Sequence, residues 1–156
     1  MKRILAFILF LAAALPAAAP AQTLGQLVDF GTGELSIETA KGETHAFQVE
    51  IAETSEQRAQ GLMFRRQMAA DAGMLFLFEG NARERAMWMK NTLIPLDMLF
   101  IDGGGKIVRI EQRTVPHSLR AIRSGEPAIA VLELNAGTTS RLAIEPGDRV
   151  IHPAFD

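Results

Sequence analysis

Apolar and polar residues alternate along several short stretches of the chain, which is the pattern of strands with one buried face. The alternation runs over 35–39 and again over 45–51, and turn-forming residues separate the two stretches. These stretches therefore predict an antiparallel pair of strands. The run 74–78 is apolar at every position, so we expect a strand that is covered on both faces.

The same kind of pattern predicts strands in the second half of the chain. They lie over 106–113, 127–134 and 149–152, with turn-forming residues between them. Residues 115–125 contain proline, serine and glycine without a regular apolar period. We expect this stretch to be a long irregular loop.

One or two short helices are expected among the strands. Thr54 and Gln57 have the spacing of a capping box before an apolar stripe, which predicts a helix over 55–63. Thr138 is a candidate N-cap for a second helix. About eight short strands with these helices predict a mainly β domain, a compact sandwich or barrel.

Two further apolar runs lie near the middle of the chain. They occupy 87–90 and 93–102 and flank the turn formers Asn91 and Thr92. We interpret this stretch as a strand, a tight reversal and a second strand, which together form a central hairpin.

The central hairpin carries the single tryptophan of the protein beside a lysine. Trp88 and Lys90 would share one face of the first strand. There the indole can stack on a flat ligand surface, and the ammonium can meet an anionic or hydroxyl oxygen. Asn91 and Thr92 add donors and acceptors. The alternative is structural, with Trp88 in the core and the stem of Lys90 covering apolar surface.

Arginine and aspartate side chains complete the candidate ligand site. Arginine binds carboxylate or phosphate with two parallel hydrogen bonds, although a solvated arginine near a helix end is the alternative. Asp97 lies in an apolar strand and needs a partner such as Lys90 or an arginine, or else acts as a general base. The predicted ligand-binding residues are Arg65, Trp88, Lys90, Asn91, Thr92 and Asp97.

The first residues have the organisation of a secretory signal peptide. A basic start precedes an apolar run over 4–15 and an Ala-x-Ala cleavage pattern at 19–21. We expect removal of 1–21, which predicts a periplasmic or secreted protein that is not integral to the membrane. An uncleaved membrane anchor is the alternative. Residues 22–43 would form a leader and the first strand, and 44–152 a single β domain.

The composition excludes several kinds of chemistry. The protein has no cysteine, which removes thiol catalysis and cysteine-ligated zinc. Its formal net charge of −2 gives no excess of lysine and arginine, which the binding of nucleic acid usually requires. His45, His117 and His152 lack the helical spacing of a zinc motif. We predict no cofactor and no metal, and assign no catalytic residue.

Several segments together resemble one prokaryotic family. They lie at 56–65, 72–78, 88–97, 131–137 and 147–150. In this order they are similar to the domain of unknown function 192 family, and the resemblance extends over about 44–151. It implies a compact, mainly β domain that is often exported, and it brings no established reaction.

We therefore predict a small periplasmic binding or accessory module with a polar cleft at the central hairpin. Its ligand would be a small molecule or a saccharide, and no protein partner can be named. One alternative is a hydrolase that acts on a saccharide or cell-wall substrate through Asp97 and Glu133. Another is Cu(I) binding by the thioethers of Met87 and Met89, although methionine is also an ordinary filler of cores.

Overall fold

Strands dominate the part of the chain that the structure describes, residues 28–155 of a computed structural model. The predicted signal segment 1–21 lies outside this part, as do residues 22–27 of the predicted leader. The mainly β prediction is confirmed. The described elements are β1 (Gly31–Glu38), β2 (Thr44–Ala52), α1 (Ser55–Gln60), β3 (Ala72–Leu77), β4 (Arg83–Met87), β5 (Leu96–Ile101), β6 (Ile107–Glu111), β7 (Ile122–Ala128), β8 (Ala130–Asn135), α2 (Thr138–Arg141), β9 (Arg149–Ile151) and a final 3-10 turn (Pro153–Phe155).

Seven of the strands form one curved sheet in the order β6-β5-β8-β3-β2-β1-β9. The two edge strands meet, because Lys106 forms a bridge with Arg149. Beside this bridge, the Val150 amide donates a hydrogen bond to the Gly105 carbonyl at 2.8 Å. The sheet is therefore a nearly closed barrel.

Apolar side chains from all seven strands fill the barrel. Leu35 and Ile37 of β1 and Phe47 and Val49 of β2 point inward, as the alternation in the sequence predicted. The two strands are antiparallel, with Ile37 opposite His45. The interior is thus one continuous apolar core.

The outer face of β3, β5 and β8 is buried as well. Met74, Met98 and Val131 point away from the barrel into a second core. Leu62, which follows α1, and Ile122, at the start of β7, belong to the same core. These three strands therefore have two buried faces, which explains their nearly continuous apolar sequence.

The predicted central hairpin is wrong. β4 pairs with β7 in a separate two-stranded ribbon, whereas β5 lies between β6 and β8 in the large sheet. Residues 88–95 connect the ribbon to the sheet without forming a strand. Alternation of side chains locates a strand but does not identify the strand that pairs with it, so the sequence could not reveal this arrangement.

The partner of β4 comes from a stretch predicted to be a loop. β7 begins at Ile122, inside the predicted loop 115–125, and contains Gly125 and Pro127. Such residues are rare in central strands but are tolerated in edge positions and at bulges, and the pairing of β4 with β7 shifts register between Glu84 and Ala86. The predicted strand 127–134 is consequently divided between β7 and β8.

The capping box predicted for the first helix is confirmed. The Thr54 hydroxyl accepts from the Gln57 amide at 3.1 Å, and the Gln57 side chain accepts from the Thr54 amide at 2.9 Å. The helix ends at Gln60, earlier than predicted, because Gly61 caps it. In α2 the N-cap is Gly137, and Thr138 is the first helical residue. Within residues 28–155, no helix has the length and apolar character that crossing a membrane requires.

Closure of the barrel depends on Gly105. This residue has φ of +81°, and a Cβ there would lie 2.5 Å from the Val150 carbonyl oxygen. We expect Gly105→Ala to lower the free energy of unfolding by about 1–3 kcal/mol or more. Gly103→Ala is the control, since its Cβ would meet no atom within 4 Å, and we expect a change within about 0.5 kcal/mol. Urea unfolding measures both values, and equal effects would refute this account of closure.

Candidate functional site

A cleft of about 460 Å³ lies between α1, the outer face of the barrel and the connection that follows β4. We call it the α1 cleft. Its walls are mostly apolar and include Leu62, Met63, Phe76 and Met87. Its volume and lining are those of a small-molecule site, in which a few polar groups orient the ligand.

Trp88 and Lys90 form one side of the α1 cleft. The Lys90 ammonium lies 5.1 Å from the centroid of the Trp88 ring, a cation–π distance. The prediction that these two side chains lie together is therefore confirmed, although they belong to a connection rather than to a strand. Trp88 is 49% exposed, so the indole is accessible to a ligand.

Thr92 also lines the α1 cleft, whereas the neighbouring Asn91 does not. The Thr92 hydroxyl donates to the Lys90 carbonyl at 3.3 Å, which fixes the conformation of the connection. Asn91 has a φ of +55°, a conformation that asparagine tolerates better than most residues. Its carbonyl accepts from the Phe64 amide at 2.9 Å.

Three loops, 61–71, 88–95 and 112–121, contribute residues to the wall of the cleft, and backbone hydrogen bonds hold them together. Besides the bond from Phe64 to Asn91, the Met89 amide donates to the Ser118 carbonyl at 3.0 Å. These loops contain four of the five residues other than glycine that have positive φ in the described part of the chain. The four are Phe64, Asn91, Arg113 and His117. Such conformations cost about 1–3 kcal/mol and cluster at functional sites.

Glu133 of β8 also lines the α1 cleft. It is 4% exposed and lies between Met74 of β3 and Met98 of β5. Among the described residues, no group donates a hydrogen bond to its carboxyl or forms an ion pair with it. Burial raises the pKa of Glu133 to about 8, because the charged form loses its hydration. Glu133 is thus a buried carboxyl that borders the cleft and that no described residue pairs with.

Glu133 and Asp97 were predicted, as one alternative, to be the two carboxylates of a hydrolytic site. In the pairing of β5 with β8, however, Asp97 is opposite Leu134, and Met98 is opposite Glu133. Successive residues of a strand point to opposite faces, so the two carboxyls lie on opposite sides of the sheet. The predicted carboxylate pair is wrong.

Asp97 is bound by groups of the fold itself. Its carboxylate accepts from the amides of Arg113 at 2.9 Å, Gly137 at 3.0 Å and Thr139 at 3.0 Å. The Thr139 hydroxyl donates a further bond of 2.8 Å. The predicted pairing of Asp97 with Lys90 or an arginine side chain is therefore wrong among the described residues, because backbone amides and one hydroxyl satisfy the carboxylate and tie β5 to α2. Asp97 does not line the α1 cleft.

Arg65 also lies outside the α1 cleft. It borders a second groove of about 370 Å³ together with Glu50. The two side chains form an ion pair of 2.5 Å. Arg58 of α1, in contrast, lines the α1 cleft. Its guanidinium donates to the Leu77 carbonyl at 2.9 Å, so part of its donor capacity is used within the fold.

The two methionines proposed for copper have different environments. Met89 is fully buried, and its sulfur accepts from the Thr114 hydroxyl at 3.1 Å. Met87 lines the α1 cleft. Within residues 28–155, no group of three or more histidines and acidic residues could hold a metal ion. Cu(I) binding through the two thioethers stays a prediction.

The structural role of Asp97 predicts the effect of its amide variant. Asp97→Asn places an NH₂ group against backbone N–H donors, and each donor left unsatisfied costs about 1–3 kcal/mol. We expect the free energy of unfolding to fall by at least that amount in urea titrations. Asp102→Asn is the matched control, because Oδ1 alone accepts the two amides of its exposed turn and the variant retains this oxygen. Similar small losses in both variants would contradict the assignment.

The sequence and structure of the chain match known proteins that share this architecture. A family described as "Uncharacterized ACR", the domain of unknown function 192 family, matches residues 36–152. A crystal structure from Sinorhizobium meliloti, described as a "putative transcription regulator", is 50% identical with a TM-score of 0.79, covering 83% of this chain and 99% of that one. A protein of unknown function from Novosphingobium aromaticivorans is 36% identical with a TM-score of 0.75, covering 87% and 94%. No curated protein matches. The chain belongs to the domain of unknown function 192 family.

Proposed function

We propose that the protein is a small exported binding module whose ligand site is the α1 cleft. One observation carries this proposal: the cleft contains Glu133, a buried carboxyl that receives no hydrogen bond or ion pair from the described residues. The basic start, apolar run and cleavage pattern of residues 1–21 support export.

A carboxyl of this kind is costly for a purely structural position. Burying a polar group without a hydrogen bond is unfavourable, and a charge is worse still. Met74 and Met98 occupy the flanking positions on the same face of the sheet, so an apolar side chain would also suit position 133. Buried polar groups that lower the stability of the folded state in this way are typical of binding sites and catalytic sites.

Trp88 and Lys90 would hold the outer part of a ligand. An exposed indole offers a flat surface for an aromatic ring or a sugar, and the adjacent ammonium suits an anionic or hydroxyl oxygen. The short distance between the two side chains lets one ligand contact both. The ligand we propose is therefore a small molecule with a substantial apolar or sugar surface.

Binding is favoured over hydrolysis by the number of carboxylates in the cleft. Most glycosidases use two carboxyl groups that flank the scissile bond. Among the described residues that line the α1 cleft, Glu133 is the single acidic one. Asp97 is occupied on the other face of the sheet, so it does not supply the second.

A role in transcription has less support than ligand binding. The word "regulator" belongs to the description of the Sinorhizobium meliloti neighbour. Binding of nucleic acid draws most of its affinity from neutralising phosphates with lysine and arginine. The formal net charge of this protein is −2, which favours a small-molecule ligand.

Trp88 is the single tryptophan, so its fluorescence reports on the α1 cleft directly. We expect compounds from a panel of sugars and apolar acids to shift this emission, and Lys90→Met to weaken their binding by about tenfold, or about 1.4 kcal/mol. The melting temperature should stay nearly unchanged, because Lys90 is exposed. Lys41→Met, in the exposed turn between β1 and β2, is the matched control and should bind as the wild type does.

Two results would count against the proposal. In the first, no compound of the panel shifts the emission of Trp88. In the second, Lys90→Met lowers the melting temperature by several degrees without changing any ligand response, which would make the connection between β4 and β5 purely structural.

A further inference from the structure

Three glutamates lie in one row across the outer face of the barrel. The registers of neighbouring strands place Glu50 of β2 beside Met74, Met74 beside Glu133, Glu133 beside Met98, and Met98 beside Glu111 of β6. Neighbouring strands are about 4.8 Å apart, so Glu133 is about 10 Å from each of the other two glutamates.

Both outer glutamates pair with arginines of the chain. Glu50 forms its ion pair with Arg65. Glu111 binds Arg109 at 2.7 Å and Arg120 at 2.6 Å. Burial raises the pKa of Glu111, but the hydrogen bonds from the two arginines outweigh this effect and lower it.

Glu133 differs from both of them. It is the most buried of the three, and among residues 28–155 no cation pairs with it. It is also the one of the three that borders the α1 cleft. A carboxylate in surroundings of low dielectric constant attracts a nearby cation more strongly than an exposed one does, and the cleft gives a ligand access to it.

We propose that the ligand of the α1 cleft is a small organic ammonium compound, whose charged nitrogen pairs with Glu133 and whose apolar stem lies along the cleft. This inference rests on the binding function proposed above and adds the chemical class of the ligand. An ammonium group has N–H donors for both carboxyl oxygens. The walls formed by Leu62, Phe76 and Met87 suit the stem.

The other charged groups of the cleft fit a ligand with a second, acidic end. They are Arg58 on α1 and Lys90 on the connection that follows β4, while β3 contributes the apolar Phe76. Lys90 is exposed at the mouth, and Glu133 is buried. A ligand with ammonium and carboxylate groups at opposite ends of an apolar chain would complement both.

A matched series of linear compounds tests this inference. The compounds are 6-aminohexanoate, 6-hydroxyhexanoate and hexylamine, and Trp88 fluorescence and calorimetry measure their binding. We expect 6-aminohexanoate to bind at least about tenfold more tightly than 6-hydroxyhexanoate, because only the ammonium forms an ion pair. Hexylamine should keep the ammonium contact and lose the contact with Lys90.

The pH dependence provides a test without any substitution. Glu133 must release its proton to pair with an ammonium, so the affinity for 6-aminohexanoate should rise nearly tenfold from pH 6 to pH 7. The affinity for 6-hydroxyhexanoate should not rise over this range.

Glu133→Gln should remove both the preference for the ammonium and the pH dependence, whereas Glu111→Gln, which changes another glutamate of the same row, should retain them.

The possible outcomes separate the ligand class from the binding function. If 6-hydroxyhexanoate binds as tightly as 6-aminohexanoate at both pH values, the ammonium inference is overturned and the binding function stands. If no compound of the series binds at millimolar concentration, the ammonium inference is overturned as well. In that case the wider panel of sugars and acids decides the binding function. A preference for the ammonium that survives in Glu133→Gln would also overturn the inference.

Discussion

β8 is buried on both faces, and the barrel core, the outer core and the position of Glu133 all follow from this burial. β8 lies between β3 and β5 in the barrel sheet, and its alternating side chains enter two different cores. Leu132 and Leu134 point into the barrel, and Val131 points into the outer core. The same alternation sends Glu133 outward, into an apolar region that borders the α1 cleft.

Local features of the fold were predictable from the sequence, and long-range pairing was not. Thr54 and Gln57 determine the start of α1 by a hydrogen-bond pattern that spans three residues, so the sequence displays it directly. The alternation over 45–51 likewise located β2. The pairing of β4 with β7 depends on contacts between distant segments, and the first residues of β7 lay within the predicted loop 115–125, where Gly125 interrupts the pattern of a strand.

The sequence located the part of the candidate site whose residues are close together along the chain, and it did not locate the part that depends on strand pairing. Trp88, Lys90 and Thr92 are close in sequence, and the structure places all three around one cleft. Asp97 and Glu133 are far apart in sequence, and a difference of one residue in register decides whether they share a face. A glutamate inside an otherwise apolar strand was the available signal for Glu133, but the sequence could not show that it lacks a partner.

The protonation of Glu133 can be measured in the free protein and in the complex with 6-aminohexanoate. NMR of protein with ¹³C-labelled glutamate can follow the side-chain carboxyl carbon, with the resonance assigned by its loss in Glu133→Gln. We expect burial to raise the pKa of Glu133 to about 8 in the free protein, and we expect a lower titration midpoint when 6-aminohexanoate is bound. A midpoint near the ordinary value of 4.5 would mean that the carboxyl is hydrated or paired, and would contradict its proposed role in the α1 cleft.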